Sequence, residues 1–149
     1  MELKFTVKAF NELSITELYQ ILSLRNEVFI VEQQCPYLDI DGKDTKAHHV
    51  IGYDGDNIAV YARVLPQGVS YEEVSIGRVI TANNYRGLGL GKKLMEASFG
   101  VCNAKFQGVP IRIGAQHYLL AFYESLGFKQ IGDPYDEDGI LHVDMIRKG

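Results

Sequence analysis

Arg86, Gly87, Gly89, Gly91, Lys92 and Lys93 crowd into one short stretch, where a strand-like run, Val74 to Ile80, passes through a glycine-rich turn into a helix. Such an arrangement suits an anion. The first N–H groups of a helix have no internal partner, and the helix dipole adds partial positive charge at that end. Glycine lets a bulky anion approach the backbone without meeting a Cβ atom, while Arg86 supplies a permanent charge and a planar fork of donors. Residue type and spacing together predict a phosphate or pyrophosphate site.

Two well-known phosphate loops do not fit. A P-loop needs four residues between its glycines and a Ser or Thr after its lysine. Here only three residues separate Gly87 from Gly91, and Lys93 stands at the hydroxyl position. A dinucleotide fingerprint places a third glycine where this chain has Lys92. Elsewhere, the His48-His49 pair lacks a third ligand at a recognisable spacing, so no metal is expected. Cys35 and Cys102 show neither CxxC nor metal-ligand spacing and are expected as reduced thiols.

The elements around the loop follow from periodicity. Leu3, Phe5 and Val7 alternate with polar residues as a first strand, and Ser14 with Glu17 forms a capping box. The helix after it places Ile15, Leu18, Leu22 and Phe29 at helical spacing, with Arg25 on the same stripe and Cys35-Pro36 as a breaker. A polar loop, residues 36–46, leads to strands His48 to Tyr53 and Asn57 to Leu65, joined by Asp54-Gly55 as a hairpin turn. Gly77 inside the third strand, Val74 to Ile80, predicts a bulge or a close backbone approach. Beyond the glycine loop come a helix from Lys92 to about Asn103, a strand Ile111 to Ala115 and a short helix Leu119 to Leu126 capped by Gly127. Strands Phe128 to Ile131 and Ile140 to Ile146 complete the chain, joined by an acidic loop. This order predicts a mixed α/β (α+β) domain with one central sheet.

Length and charge bound the function. A chain of 149 residues, 46% apolar and 23% charged, suits a single domain over residues 1–149. No apolar run approaches the roughly 20 residues that span a bilayer. Met1-Glu2-Leu3-Lys4-Phe5 lacks the order of a signal peptide, so a cytoplasmic protein without a membrane partner is expected. The net charge of −4 argues against nucleic acid, which demands a basic surface. An acidic protein with one basic pocket suits a small anion instead.

The pattern Arg86-x-x-Gly89-x-Gly91 resembles the pyrophosphate loop of the GNAT family of N-acetyltransferases, Gln/Arg-x-x-Gly-x-Gly/Ala. Ala121-Phe122-Tyr123-Glu124-Ser125-Leu126-Gly127-Phe128 resembles a second signature of that family. Four further segments resemble its ElaA subgroup. They are Leu24-Arg25-x-x-Val28-Phe29-x-x-Glu32-Gln33, Asp39-Ile40-Asp41-Gly42, Ile76-Gly77-Arg78-Val79, and Tyr135-Asp136-Glu137-Asp138-Gly139-Ile140-x-His142.

The resemblance implies a GNAT fold, a mostly antiparallel sheet with one splayed parallel strand pair flanked by helices. It implies acetyl-CoA as co-substrate and direct transfer of the acetyl group to a small primary amine in a ternary complex, and dimers are frequent in such families. Val79, Ile80 and Thr81 would pair with the pantetheine arm, with the Val79 N–H on the thioester carbonyl. Arg86, Gly87, Leu88, Gly89, Leu90, Gly91 and Lys92 would hold the pyrophosphate. Tyr123 would act as general acid on the departing thiolate, with Gln116, His117 and Tyr118 lining the thiol end. The base stays open among His48, His49, His117, His142, Glu32, Glu73, Asp136, Glu137 and water. Arg25 to Asp41 and Tyr135 to His142 would wall an acceptor of cationic character. A non-catalytic module that senses acyl-CoA on the same fold is the alternative.

Overall fold

The computed structural model describes residues 1–149 and contains a seven-stranded sheet in the order β1-β2-β3-β4-β5-β7-β6. The strands are β1 (Lys4–Ala9), β2 (His48–Asp54), β3 (Asn57–Leu65), β4 (Val74–Thr81), β5 (Ile111–Gln116), β6 (Lys129–Glu137) and β7 (Ile140–Arg147). Helices α1 (Ile15–Arg25), α2 (Leu90–Lys105) and α3 (Leu120–Ser125) flank them. All neighbouring strands are antiparallel except β4 and β5, which run parallel. The fold is therefore the mixed α/β class with one parallel pair.

Successive strand residues point to opposite faces, and the two faces have separate cores. On one, Val50, Ala62, Ile76, Ile113 and Met145 pack with Leu94, Met95 and Phe99 of α2. On the other, Ile51, Tyr61 and Ile80 pack with Ile21 of α1 and Val28.

The Ser14 capping box forms as expected. Ser14 Oγ accepts the Glu17 N–H at 3.0 Å, and the Glu17 carboxylate accepts the Ser14 N–H at 3.0 Å. The buried stripe differs from the expected one. Ile21, Arg25 and Val28 face inward while Ile15 is 90% exposed. This i, i+4, i+7 stripe puts Arg25 at its centre, and the chain continues past α1 through a π-helical segment, Asn26–Glu32. The acidic connection expected before β7 is mostly strand, because β6 runs on to Glu137. It turns sharply at Asp138 (φ 53) and Gly139 (φ 82), a pair of positive φ values that matches a tight hairpin. Gly127 (φ 94) caps α3, as its position predicts.

Arg25 is completely buried, and it is not alone. Its Nε donates to Asp39 Oδ2 at 2.9 Å and its Nη1 to Asp44 Oδ1 at 2.6 Å. Arg63 from β3 shares Asp44 at 3.0 Å and grips Asp41 through both Nη atoms at 2.8 and 2.6 Å. Arg78 from β4 reaches Asp39 Oδ1 at 2.8 Å and Asp41 Oδ2 at 3.3 Å. Three guanidiniums thus meet three carboxylates, and the polar loop 36–46 is bound to the sheet by charge. His49 sits at its edge, hydrogen-bonded to Tyr61 Oη at 2.7 Å and to the Asp44 carbonyl at 2.9 Å.

Removing one member of a buried pair leaves the other charged and unpaired, at a cost of about 3–5 kcal/mol. Asp44→Asn is expected to lower stability by that order in urea denaturation. Lys8→Met, which breaks the half-exposed pair with Glu17, should cost under about 1 kcal/mol. Acid should act through the same carboxyls. Burial opposes ionisation of Asp41 and Asp44, yet the arginine hydrogen bonds and charges outweigh it and hold both below their ordinary 3.8. Groups depressed in the folded state stabilise it fully above their unfolded values and lose that effect as pH falls through the folded ones. The urea midpoint is therefore expected to drop steeply below about pH 4, and to drop less steeply in Asp44→Asn.

Candidate active site

The parallel pairing of β4 with β5 lasts only for Val74–Ile111 and Ser75–Arg112. Beyond it the strands part, β4 running to Thr81 and β5 to Gln116, and a V-shaped opening separates them. A bulge in β4 produces the divergence. Tyr61 pairs with Ile80 and Arg63 with Gly77, so β4 carries one residue more than β3 over that span. Arg78 and Val79 fall outside the register with β3. The bulge lies where Gly77 suggested it, but the left-handed conformation belongs to Arg78 (φ 50) rather than to the glycine. Side chains other than Gly, Asn and Asp adopt that region rarely, and Asp39 and Asp41 hold Arg78 in it through the ion pairs described above.

β4 leads through a single 3₁₀ turn, Asn83–Tyr85, into the glycine loop. Gly87 (φ 79) and Gly89 (φ 72) both take left-handed backbone that other residues would resist. Gly89 is the N-cap of α2, and no side chain caps that helix, so its first N–H groups remain available. They border a depression of about 190 Å³ lined by Thr81, Arg86, Gly87, Gly89, Gly91 and Lys92, with Tyr85 and Phe122 at its sides. Leu88 is exposed, whereas the Leu90 side chain is sealed in the core, so Leu90 offers only its main chain. Arg86 stands at the rim in a bidentate pair with Glu32, at 2.9 Å for both bonds, and its Nε donates to the Thr81 carbonyl at 3.1 Å. The depression has the size and the N–H donors that an anion such as phosphate would need, and Glu32 already holds Arg86 at its rim.

Tyr123 is 7% exposed and packs edge-on against Phe122 and Phe128. Its hydroxyl has no hydrogen-bond partner within the chain. Burial, and then the neighbouring Tyr118, push its pKa up to about 12, so it remains a proton donor at neutral pH. Gln116 ends β5 and donates to Gln33 Oε1 at 3.3 Å, which ties the strand to the π-helical segment. Tyr118 is 75% exposed beyond it.

The residues considered for proton transfer are scattered. His48 lies edge-on to Phe106 and His49 is sealed in the ion cluster, so the pair is split across the sheet. Burial lowers the pKa of both. Arg25 and Asp39, expected to wall an acceptor, are consumed in the same cluster. His142 instead lies beside the opening, its backbone paired with Gln116 and its Nδ1 2.8 Å from the Ile140 carbonyl. Its Nε2 lies 3.6 Å from Glu137 Oε2.

Beside Tyr135, which was expected in the acceptor wall, the same face carries Arg112, Asp144 and Tyr71, which sequence reading missed. Arg112 pairs with Asp144 at 2.7 Å and stacks on Tyr71 with its Cζ 4.8 Å from the ring centre, and Tyr135 Oη donates to Asp144 at 2.5 Å. The one signal for them was a charge at alternate positions in two apolar strands, Arg112 between Ile111 and Ile113 and Asp144 between Val143 and Met145.

Comparison with known proteins agrees with this geometry. The family model described as an acetyltransferase (GNAT) domain matches residues 12–148. The Escherichia coli protein ElaA is 42% identical over 140 residues, covering 93% of this chain and 92% of that protein. A UPF0039 protein of Synechocystis is 40% identical over 98% of this chain and 96% of its own. Among solved structures, an acyl-CoA N-acyltransferase from Pseudomonas aeruginosa superposes with a TM-score of 0.93 at 36% identity over 98% of this chain and 99% of that one. Escherichia coli ElaA superposes with a TM-score of 0.92 at 39% identity over 97% and 99%. A splayed parallel pair, a bulged strand feeding an uncapped helix, and this likeness along nearly the full length have one explanation: the chain belongs to the GNAT acetyltransferase family, within the ElaA-like subgroup.

Proposed function

We propose that the chain is a single-domain, acetyl-CoA-dependent N-acyltransferase that moves an acetyl group to a small primary amine by direct attack in a ternary complex. The observation that carries this reading is the V between β4 and β5, open to the sheet's interior and ending at the uncapped N-terminus of α2. The similarity to an acyl-CoA N-acyltransferase supports it.

The donor supplies an acyl group already activated as a thioester, and the protein's part is to bind, orient and move a proton. Main-chain N–H groups from Gly87 to Lys92, with the Arg86 side chain, hold the pyrophosphate, and Glu32 yields its partner when the anion arrives. Ile80 and Thr81 offer strand-like backbone to the pantetheine arm, with Gln116 and Tyr118 facing it across the opening. The Val79 N–H donates to the thioester carbonyl and stabilises the charge that grows on it; losing a donor of this kind costs about 3 kcal/mol. Tyr123 protonates the departing thiolate from its buried position. Histidine and carboxylate groups on the β6–β7 side serve the amine.

Titration of acetyl-CoA by calorimetry, with ATP and NAD as controls, tests the reading directly. Selective micromolar binding is expected, and a preference for ATP or NAD would overturn it. Gly89→Val forces a branched side chain into left-handed backbone at the cradle and is expected to abolish donor binding; a wild-type dissociation constant would refute the assignment of the loop. Tyr123→Phe should reduce turnover about a hundredfold with the donor dissociation constant unchanged. Unchanged turnover would reduce Tyr123 to a packing residue.

A further inference from the structure

β5 exposes one of its edges-on faces to the core and the other to a groove. Ile111, Ile113 and Ala115 enter the core under α2, so Arg112, Gly114 and Gln116 face the opposite side, where Gln33 approaches. β7 contributes Asp144 opposite Gly114 and His142 opposite Gln116. The groove deepens because β6 leaves its register with β7 between Ile131 and Tyr135, and a cavity of about 210 Å³ opens there. Arg112, Asp144, Tyr135 and Asp133 line it, together with Ile131 and Gly132.

Three oxygen atoms converge over the bare Cα of Gly114. A Cβ at that position would lie 3.2 Å from Tyr135 Oη, 3.2 Å from Tyr71 Oη and 3.7 Å from Asp144 Oδ1. Tyr71 Oη has no hydrogen-bond partner in the chain, and Tyr135 spends its only proton on Asp144. Each phenol therefore presents lone pairs. The Arg112 charge is answered by Asp144 at 2.7 Å and Glu73 at 4.0 Å, and Asp133 and Glu137 leave the groove negative. One buried oxygen of Glu73 has no hydrogen-bond partner. An alkylammonium carries three N–H donors, and the two phenol oxygens and one carboxylate oxygen over Gly114 are three acceptors.

We infer that this groove is a recognition subsite for an ammonium group, and that the acceptor is a diamine held by one nitrogen and acetylated on the other. The inference rests on the acyltransferase reading above. Neutral phenols and a carboxylate are far weaker bases than an alkylamine, so a nitrogen held over Gly114 keeps its proton and cannot attack. The attacking nitrogen is a second one. Gly114 on β5 lies two positions beyond Arg112, and Val79 on β4 lies four beyond Ser75, so the two are offset by about 7 Å along the strands and by at least about 5 Å across the widening opening, roughly 8 Å or more in all. A chain of about five or more methylene groups is needed to cover such a span. A carboxylate on the acceptor would meet Asp133, Glu137 and Asp144, and Arg112 is already engaged, so amino acids are disfavoured.

The full-length protein is titrated with cadaverine, with n-hexylamine as the monoamine of equal length and with 6-aminohexanoate as the zwitterion. Binding is followed by calorimetry and by the NMR shift of the Gly114 amide. Cadaverine is expected to move that amide and to bind at least about tenfold tighter than either control, the scale of one charge-assisted contact. Gly114→Ala pushes a methyl against both phenol oxygens, and Tyr71→Phe removes one acceptor without changing shape. Each should weaken cadaverine about tenfold and leave the acetyl-CoA dissociation constant unchanged. Equal binding of n-hexylamine or 6-aminohexanoate, or wild-type cadaverine affinity in Tyr71→Phe, overturns the inference. Cadaverine binding without acetyl-CoA binding would overturn the transferase reading and leave the cation subsite standing. Acetyl-CoA binding without cadaverine binding would do the reverse.

Discussion

The opening between β4 and β5 depends on a cluster of three arginines and three aspartates buried beneath a polar loop. A sheet gains by pairing its strands completely, and nothing in the apolar pattern of β4 would stop it from pairing along its full length. The extra residue at the bulge prevents this, yet it requires Arg78 in left-handed backbone, which is unfavourable by about 1–3 kcal/mol. Asp39 and Asp41 hold the Arg78 guanidinium and so oppose that strain. Those aspartates are in turn fixed by Arg25 from α1 and Arg63 from β3. Apolar side chains could fill the volume as favourably. They could not hold one particular backbone conformation by naming its side chain as a partner. The cluster therefore acts on geometry: it keeps the V open.

Strand alternation then assigns two tasks to the same residues in order. On β5, odd positions build the core and even positions face the groove. Gly114 is the position at which the absence of a side chain matters, because a Cβ there would press to within 3.2 Å of the Tyr71 and Tyr135 hydroxyls. The anion cradle has a different support. It is a helix terminus and two left-handed glycines, placed by the end of β4, and of the two basic side chains that border it, Arg86 and Lys92, the arginine waits in a pair with Glu32. The carboxylate keeps the guanidinium in place without filling the cradle.

Local features were legible in the sequence because their physics is local. A capping box needs four consecutive residues, a hairpin turn two, and a strand, glycine loop and helix are contiguous. The order of elements and the bulge in β4 followed from such signals. What escaped depended on contacts between distant segments. Arg25 looked like a charge on an apolar stripe, and only Asp39, Asp44 and Arg63 explain why it is buried there. The segments resembling the ElaA subgroup around Arg25, Asp39 and Arg78 are far apart in the chain and meet in this single cluster. Tyr135 to Glu137 fell within the expected acidic loop because acidic residues are poor strand formers, but pairing with β7 overrides that preference. His49 passed for a candidate base until its two ring nitrogens were found engaged with Tyr61 and Asp44.

The charge of the chain is easier to interpret once the cluster is removed from the count. Its three arginines and three aspartates cancel within contact distance, so they contribute little to the field outside. What remains is divided. Arg86, Lys92 and Lys93 gather at the start of α2, while Asp133, Asp136, Glu137 and Asp138 gather along β6 and its turn. Screening in physiological salt confines each field to about 8 Å, so the two regions act separately on what approaches them. An anionic molecule is drawn to one end of the opening and a cationic one to the other, and the bulge at Arg78 and Val79 lies between. A net charge of −4 describes neither end. Such a division of charge suits the encounter that the proposed direct transfer requires, an anionic donor and a cationic acceptor approaching from opposite sides.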